Sequence, residues 1–393
     1  MRVLIAPDSF KGSLTATQAA KAMACGLARV FPEAEAELLP VADGGEGTSE
    51  ILAAATGGRL VSHSARDPLG RQVQAFFGLS GDGRTAFVES AAASGLGLLA
   101  PGERNPLIAS SYGTGDLVRA ALKALHDTKG DGPRQLILGL GGSATNDGGA
   151  GALAALGVRL LDEGGQELAP GGAALAHLAA MDLSGLDPLL WQTDILLASD
   201  VNAPLLGPQG ASAVFGPQKG ATPQAVRQLD DALGRYALVA HAATGIDAAV
   251  LPGSGAAGGL AAAFLYCTRA RLRPGVELVL ETAGFSERAA GADLVLTGEG
   301  RADGQTTQGK APLGVARAAK VHARPVVCIA GILGEGAEAL YAHGVDVLAA
   351  CITDFTEPDK AMRDAGPRLQ ATTEQVMRAV RLGMCFPDTS KEL

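Results

Sequence analysis

Residues 136–151 read Leu-Ile-Leu-Gly-Leu-Gly-Gly-Ser-Ala-Thr-Asn-Asp-Gly-Gly-Ala-Gly. An apolar run stops, and a loop dense in Gly, Ser, Thr, Asn and Asp begins at once. The run has the length and composition of a strand buried on both faces. Glycines let a backbone come close to a ligand and turn its N–H groups inward. Ser143, Thr145 and Asn146 add side-chain donors, and Asp147 adds a carboxylate of the kind that holds a metal ion. Such a loop at a strand end is a common way to hold phosphate.

The same pattern recurs along the chain. Strands are predicted over Arg2–Ala6, Thr85–Glu89, Gln135–Leu140, Asp194–Ser199, Asp293–Thr297, Pro325–Ala330 and Asp346–Thr353. Helical spacing lies between them. Ala19, Met23, Leu27 and Val30 share a face in residues 16–30, with Thr15 and Gln18 forming a capping box. A helix over 115–125 is predicted with Thr114 as its N-cap, and another from about Gln224 to Ala243. Alternating strands and helices define an α/β protein with a mostly parallel sheet and ligands at the strands' carboxyl ends. Joins between domains are expected near Ser62–Arg66 and near Leu280–Gly291, and Phe386–Leu393 reads as a loose polar tail.

Five loops follow apolar runs and share one composition. They are Pro7–Ser13, Asp43–Thr48, Gly139–Gly151, Asp200–Pro204 with Gly216–Gly220 further on, and Gly298–Gly304. Any one of them suits a turn, since Gly and Asp are ordinary turn residues. Together they supply Asp8, Asp43, Asp147, Asp200, Glu299 and Asp303 alongside Lys11, Lys219, Arg301 and Lys310. Carboxylates hold Mg²⁺, cations and backbone N–H groups neutralise phosphate, and one carboxylate can accept a hydroxyl proton. These are the parts of phosphoryl transfer.

Bulk properties narrow the field. The chain has 393 residues, 47% hydrophobic and 4% aromatic, with 54 glycines and a net charge of −9. No Lys/Arg cluster offsets that charge, so neither nucleic acid nor an anionic membrane is an expected partner. Cys25, Cys267, Cys328, Cys351 and Cys385 are scattered, with no C-x-x-C spacing, which fits reduced thiols in a cytoplasmic protein. The apolar start is too short for a signal peptide, and Ala248–Thr268 reads as a buried Gly-rich turn leading into a helix. The six histidines lie outside the loops, and Trp191 is expected to pack. Gly304–Ala311 misses a Walker loop because Ala311 stands where a hydroxyl is needed, although Pro312 still suits the start of a helix. Gly253-Ser-Gly-Ala-Ala-Gly258 fits a dinucleotide fingerprint with no clear strand before it, and it is the sole support for a nicotinamide-dependent oxidoreductase.

Taken in order, these stretches resemble the bacterial glycerate kinases of the type I group. The likeness runs through Ala6–Ser13, Pro40–Thr48, Asp67–Arg71, Glu89–Leu96, Ser111–Gly115 and Gly139–Gly151. It continues through Ser199–Pro204, Phe215–Gly220, Pro252–Gly259 and Leu296–Arg301. The resemblance implies ATP- and Mg²⁺-dependent phosphorylation of D-glycerate to phosphoglycerate, at the 2-hydroxyl in the better-understood members. It also implies two α/β domains with the active site in the cleft between them. A flavodoxin-like domain is expected from residues 1–65 and 285–393, with residues 66–284 inserted as the second, and the whole as a monomer or homodimer.

The expected roles follow. Asp43, Asp200 and Lys11 are the catalytic candidates. Asp8, Ser9, Arg66, Arg71, Asn202 and Arg301 would meet glycerate. Gly141, Gly142, Ser143, Thr145, Lys219 and Lys310 would hold nucleotide phosphates, and Asp147, Glu299 or Asp303 the Mg²⁺. The rival readings are a kinase of another hydroxy or sugar acid, the oxidoreductase, and a non-catalytic binding protein.

Overall fold

The structure is a computed structural model, and it describes residues 1–128, 130, 132–304 and 306–385, so the tail expected over 386–393 lies outside the described residues. Two compact units emerge: Met1–Asp43 with Val276–Leu393, and Gly44–Gly275.

The first unit is built from both chain ends around a five-stranded, all-parallel sheet. Its strand order is Val347–Ala350, Val326–Ala330, Leu294–Thr297, Arg2–Ile5, Glu35–Leu38. Numbered along the chain this is 2-1-3-4-5, the flavodoxin-like arrangement. Leu294–Thr297 and Val326–Ala330 are buried at every position, as strands covered on both faces must be. The helix Ala16–Val30 starts at the predicted capping box: Gln18 N–H donates to Thr15 Oγ1 at 3.2 Å, and Thr15 N–H to Gln18 Oε1 at 2.9 Å. It buries Met23, Leu27 and Val30 against Val3, Ile5 and Leu296. Its other neighbour is the helix Ala365–Gly383, reached so closely at Gly26 that a Cβ there would lie 2.4 Å from the Gln370 carbonyl oxygen.

The second unit holds a six-stranded sheet in the order Arg271–Arg273, Asp194–Ala198, Gln135–Gly139, Thr85–Glu89, Gln72–Leu79, Arg59–Arg66. The first four strands are parallel and the last two antiparallel. The expected joins were at 65/66 and 284/285, whereas the units divide at 43/44 and 275/276. Ser62–Arg66 is no linker: it lies inside a strand that pairs with Gln72–Leu79 from Arg59↔Leu79 to Arg66↔Gln72.

Two local expectations are corrected. The helix predicted over 115–125 runs Tyr112–Asp127 with Ser111 at its N-cap, so Thr114 sits in the first turn. There its buried hydroxyl donates to Ser94 Oγ at 2.8 Å. Trp191 is not packed inside; it is 52% exposed, with the Arg269 guanidinium 5.9 Å above its ring. The helix Pro223–Thr244 is capped by Thr222, and Ala256–Cys267 is buried as the Gly-rich segment suggested. Among the described residues no helix is long and apolar enough to cross a membrane.

Candidate active site

In the first unit the chemistry gathers at the carboxyl ends of neighbouring strands. Asp8 follows Arg2–Ile5, Asp43 follows Glu35–Leu38, and Glu299, Arg301 and Asp303 follow Leu294–Thr297. The loops are tied together: Asp8 N–H donates to Gly298 O at 2.8 Å, and Val41 N–H to Pro7 O at 3.0 Å. Gly298 is required at its position, since a Cβ would lie 2.0 Å from the Ile329 carbonyl oxygen. Phe10 and Leu14 exchange two backbone bonds, and this tight turn carries Lys11 at an exposed tip.

Asp8 is the most perturbed carboxyl of this group. Burial pushes its pKa from 3.8 up to about 7, and the charges of Asp43 and Glu299 push in the same direction, while a 2.6 Å bond from Ser9 N–H opposes them. Asp8 therefore lies within electrostatic reach of both Asp43 and Glu299. The Glu299 pKa is also raised, chiefly by burial. Its Oε1 accepts from the Thr306 hydroxyl at 2.6 Å and its Oε2 from Lys310 Nζ at 3.3 Å. Arg301 Nε donates to Asp303 Oδ2 at 2.9 Å, with most of its side chain in solvent. Lys310 stands at the N-cap of the helix Ala311–Lys320, followed by Pro312 in the first turn as read from the sequence.

In the second unit the turn after Gln135–Gly139 is held on all sides. Gly142 is left-handed at φ +75° and exposed. Ala144 N–H donates to Ser94 O at 2.8 Å and Leu96 N–H to Gly142 O at 2.9 Å. Beneath it lies Lys219, 2% exposed, whose Nζ donates to Ser143 Oγ at 3.0 Å and Thr145 O at 2.7 Å. Burial lowers the Lys219 pKa from 10.5 to about 7, partly offset by the charge of Asp147. Lys219, expected at the nucleotide phosphates, has its Nζ bonded to the turn.

Asp147 is likewise turned inward. Its Oδ2 accepts from Ser111 N–H at 2.8 Å, the Ser111 hydroxyl at 2.9 Å and Gly151 N–H at 3.2 Å, and its Oδ1 from Gly149 N–H at 3.2 Å. Burial raises its pKa and these four donors lower it. A carboxylate so enclosed fixes its own loop and the start of the helix Tyr112–Asp127. Glu89 does the same for the turn 44–47. Its carboxylate accepts from Gly47 N–H at 3.1 Å and Ser49 N–H at 2.6 Å, filling the N-terminus of the helix Thr48–Ala55.

Asp200 Oδ1 accepts from Gly275 N–H at 3.1 Å, and Asn202 beyond it is exposed. The Arg66 guanidinium lies 4.0 Å over the Tyr112 ring. Arg71 is already bound to two carboxylates, Asp67 and Glu103, which raise its pKa. Its charge is compensated, which weakens it as a ligand for a substrate carboxylate.

Gly253–Gly258 forms no dinucleotide loop. Ala257, Gly258 and Gly259 are consecutively left-handed and buried, and a Cβ on Gly258 would lie 2.0 Å from the Thr145 carbonyl oxygen. The glycines admit the 145–148 backbone, leaving no room for a pyrophosphate, so the oxidoreductase reading loses its support. Ser111, Thr306 and Glu89 were missed as site-building residues. All three stood within stretches noted in the sequence, Thr306 inside Gly304–Ala311, but nothing there showed which way their side chains turn.

One unit with a doubly wound parallel sheet and acid- and glycine-rich loops at its strand ends, and another with a mostly parallel sheet and a glycine turn built over a buried lysine, define a two-unit α/β protein of phosphotransferase type. The chain matches the Glycerate kinase family over residues 3–381 and belongs to that family. It is 48% identical to the glycerate kinase of Bacillus subtilis (strain 168) over 382 residues, covering 97% of this chain and 98% of the relative. It is 43% identical to the glycerate 2-kinase of Escherichia coli (strain K12) over 384 residues, covering 98% and 99%. A crystal structure from Salmonella typhimurium LT2, described as a glycerate kinase 2, superposes with a TM-score of 0.86 at 46% identity, covering 98% of this chain and 100% of that one.

Proposed function

We propose that the protein transfers a phosphoryl group from ATP to a hydroxyl of D-glycerate, with 2-phosphoglycerate as the favoured product. Family membership supports glycerate kinase chemistry. The observation that carries the reading at this site is the carboxyl cluster of Asp8, Asp43 and Glu299, one member of which has a pKa of about 7. A general base works best with a pKa near the operating pH, so Asp8 joins Asp43 and Asp200 as a candidate to accept the substrate's hydroxyl proton. Lys11 and Arg301, both exposed, offer cations to the glycerate carboxylate.

Mutually repelling carboxyl groups also suit a divalent cation. As the alternative to a base, Asp8 would hold Mg²⁺ with Asp43 or Glu299, the cation then removing its raised pKa, whereas Asp147 is closed by four protein donors. Among the described residues no group of three or more His, Cys, Asp or Glu is arranged for a metal by itself. Mg²⁺ typically binds through one or two carboxylates plus substrate phosphates. When bound, it would neutralise phosphate charge. The turn Gly141–Asn146 is assigned to nucleotide phosphate. Free cysteines and the use of ATP fit a cytoplasmic enzyme.

A panel of hydroxy and sugar acids in a coupled ADP-release assay tests the substrate. Turnover with another acid and none with D-glycerate would refute the assignment. Consumption of the product by enolase without a phosphoglycerate mutase separates the 2-phosphate from the 3-phosphate.

A further inference from the structure

Lys219 has the properties of a built device rather than a surface cation. It is anchored by a 3-10 turn, Pro217–Lys219, closed by Lys219 N–H to Gly216 O and Gly220 N–H to Pro217 O, both at 3.0 Å. Gly220 is left-handed at φ +96° and so close to Arg104 that a Cβ would lie 2.4 Å from its carbonyl oxygen. The segment 211–219 thereby grips the turn at three residues: Ser143 and Thr145 through Lys219, and Asn146 through a 2.8 Å bond from its Nδ2 to Ser212 Oγ. Burying an ammonium costs several kcal/mol, so it persists only where its geometry is fixed and its protons are used.

The chemistry of the bond to Ser143 has a direction. An ammonium has three donors and no lone pair. While Lys219 is an ammonium, Ser143 Oγ accepts from it, and the Ser143 proton is left to point elsewhere. Ser143 is 5% exposed and adjoins Gly142 at the exposed tip of the turn. We propose that Lys219 is a positioning residue that never touches the ligand, and that it sets the Ser143 hydroxyl as a donor to an anionic oxygen held by the turn 141–146. The ligand class is a phosphoryl group, and naming it as the nucleotide's rests on the kinase reading above.

The test is a double-mutant cycle on the full chain with Lys219→Met, Ser143→Ala and both together, read by calorimetric titration with ADP and by the KM for ATP and for glycerate. If Lys219 acts through Ser143, each single change weakens ADP binding and raises the ATP KM about tenfold, leaving the glycerate KM within twofold. The double variant is then no worse than the singles, since coupled residues are not additive. A hundredfold loss in the double variant would overturn the proposal, as would Ser143→Ala binding ADP like the unmodified protein. Should Lys219→Met fail to fold, Ser143→Ala and Ser143→Thr carry the test, because threonine keeps the donor and must retain ADP binding. A protein that binds ADP and shows this cycle but does not phosphorylate glycerate would sink the substrate assignment alone.

Discussion

Replacing Asp8 by Asn should make the protein more stable at pH 8 and unable to work. The Asp8 pKa rises from 3.8 to about 7 in the folded chain. At about 1.4 kcal/mol per pH unit this amounts to about 4 kcal/mol against the ionised form. Asp8 is only partly buried, and solvent screening reduces the figure to about 2 kcal/mol. The sign follows from proton counting. Between the two pKa values the unfolded chain has released the proton and the folded chain keeps it, so stability falls as pH rises from about 4 to about 7 and then levels. Asp8→Asn lacks that fall. Urea midpoints measured from pH 4 to 8.5 should coincide at the acid end and separate by about 2 kcal/mol in favour of the variant above pH 7. Its kcat should drop about a hundredfold or more, the size of a lost general base. Parallel pH curves, or a variant less stable at pH 8, would refute the electrostatic account of this cluster.

Other perturbations separate scaffold from chemistry. Glu89→Ala removes the acceptor of two N–H groups at a helix start and should cost about 2–3 kcal/mol by urea unfolding, with Glu89→Gln keeping part of it. Gly258→Ala forces a methyl to within 2.0 Å of a carbonyl oxygen at φ +68°, and a loss of more than about 3 kcal/mol in thermal or urea unfolding is expected. Thr15→Ala breaks the capping box far from any loop and should lower stability by about 1 kcal/mol while leaving kcat and both KM values unchanged.

What the sequence revealed depended on burial. Strands covered on both faces, such as Val326–Ala330, are unbroken apolar runs and could be read directly. Arg59–Arg66 and Glu35–Leu38 were hidden because they are edge strands, rich in exposed polar residues and recognisable only by their pairing. The loops were legible by composition, but the direction in which each side chain points was not. Asp147 and Lys219 have the residue types of ligands, yet Ser111, 36 positions from Asp147, and Ser143 and Thr145, 74–76 positions from Lys219, help turn them inward. Thr114 was mistaken for a cap because a buried threonine in the first turn and a capping threonine look alike in one dimension.

The position of Arg2–Ile5 in the middle of its sheet has a consequence for synthesis. One neighbour, Glu35–Leu38, leaves the ribosome soon after it; the other, Leu294–Thr297, is some 291 residues away. At ordinary translation speeds that gap lasts roughly 15–60 s. Residues 44–275 have their own core and can close within it. The first strand and the helix Ala16–Val30, which also awaits Ala365–Gly383, meanwhile show bare apolar faces to whatever binds nascent chains. A segment made early is thus among the last to fold, and its vulnerability to capture or cleavage is set by the length of the insertion rather than by its own stability.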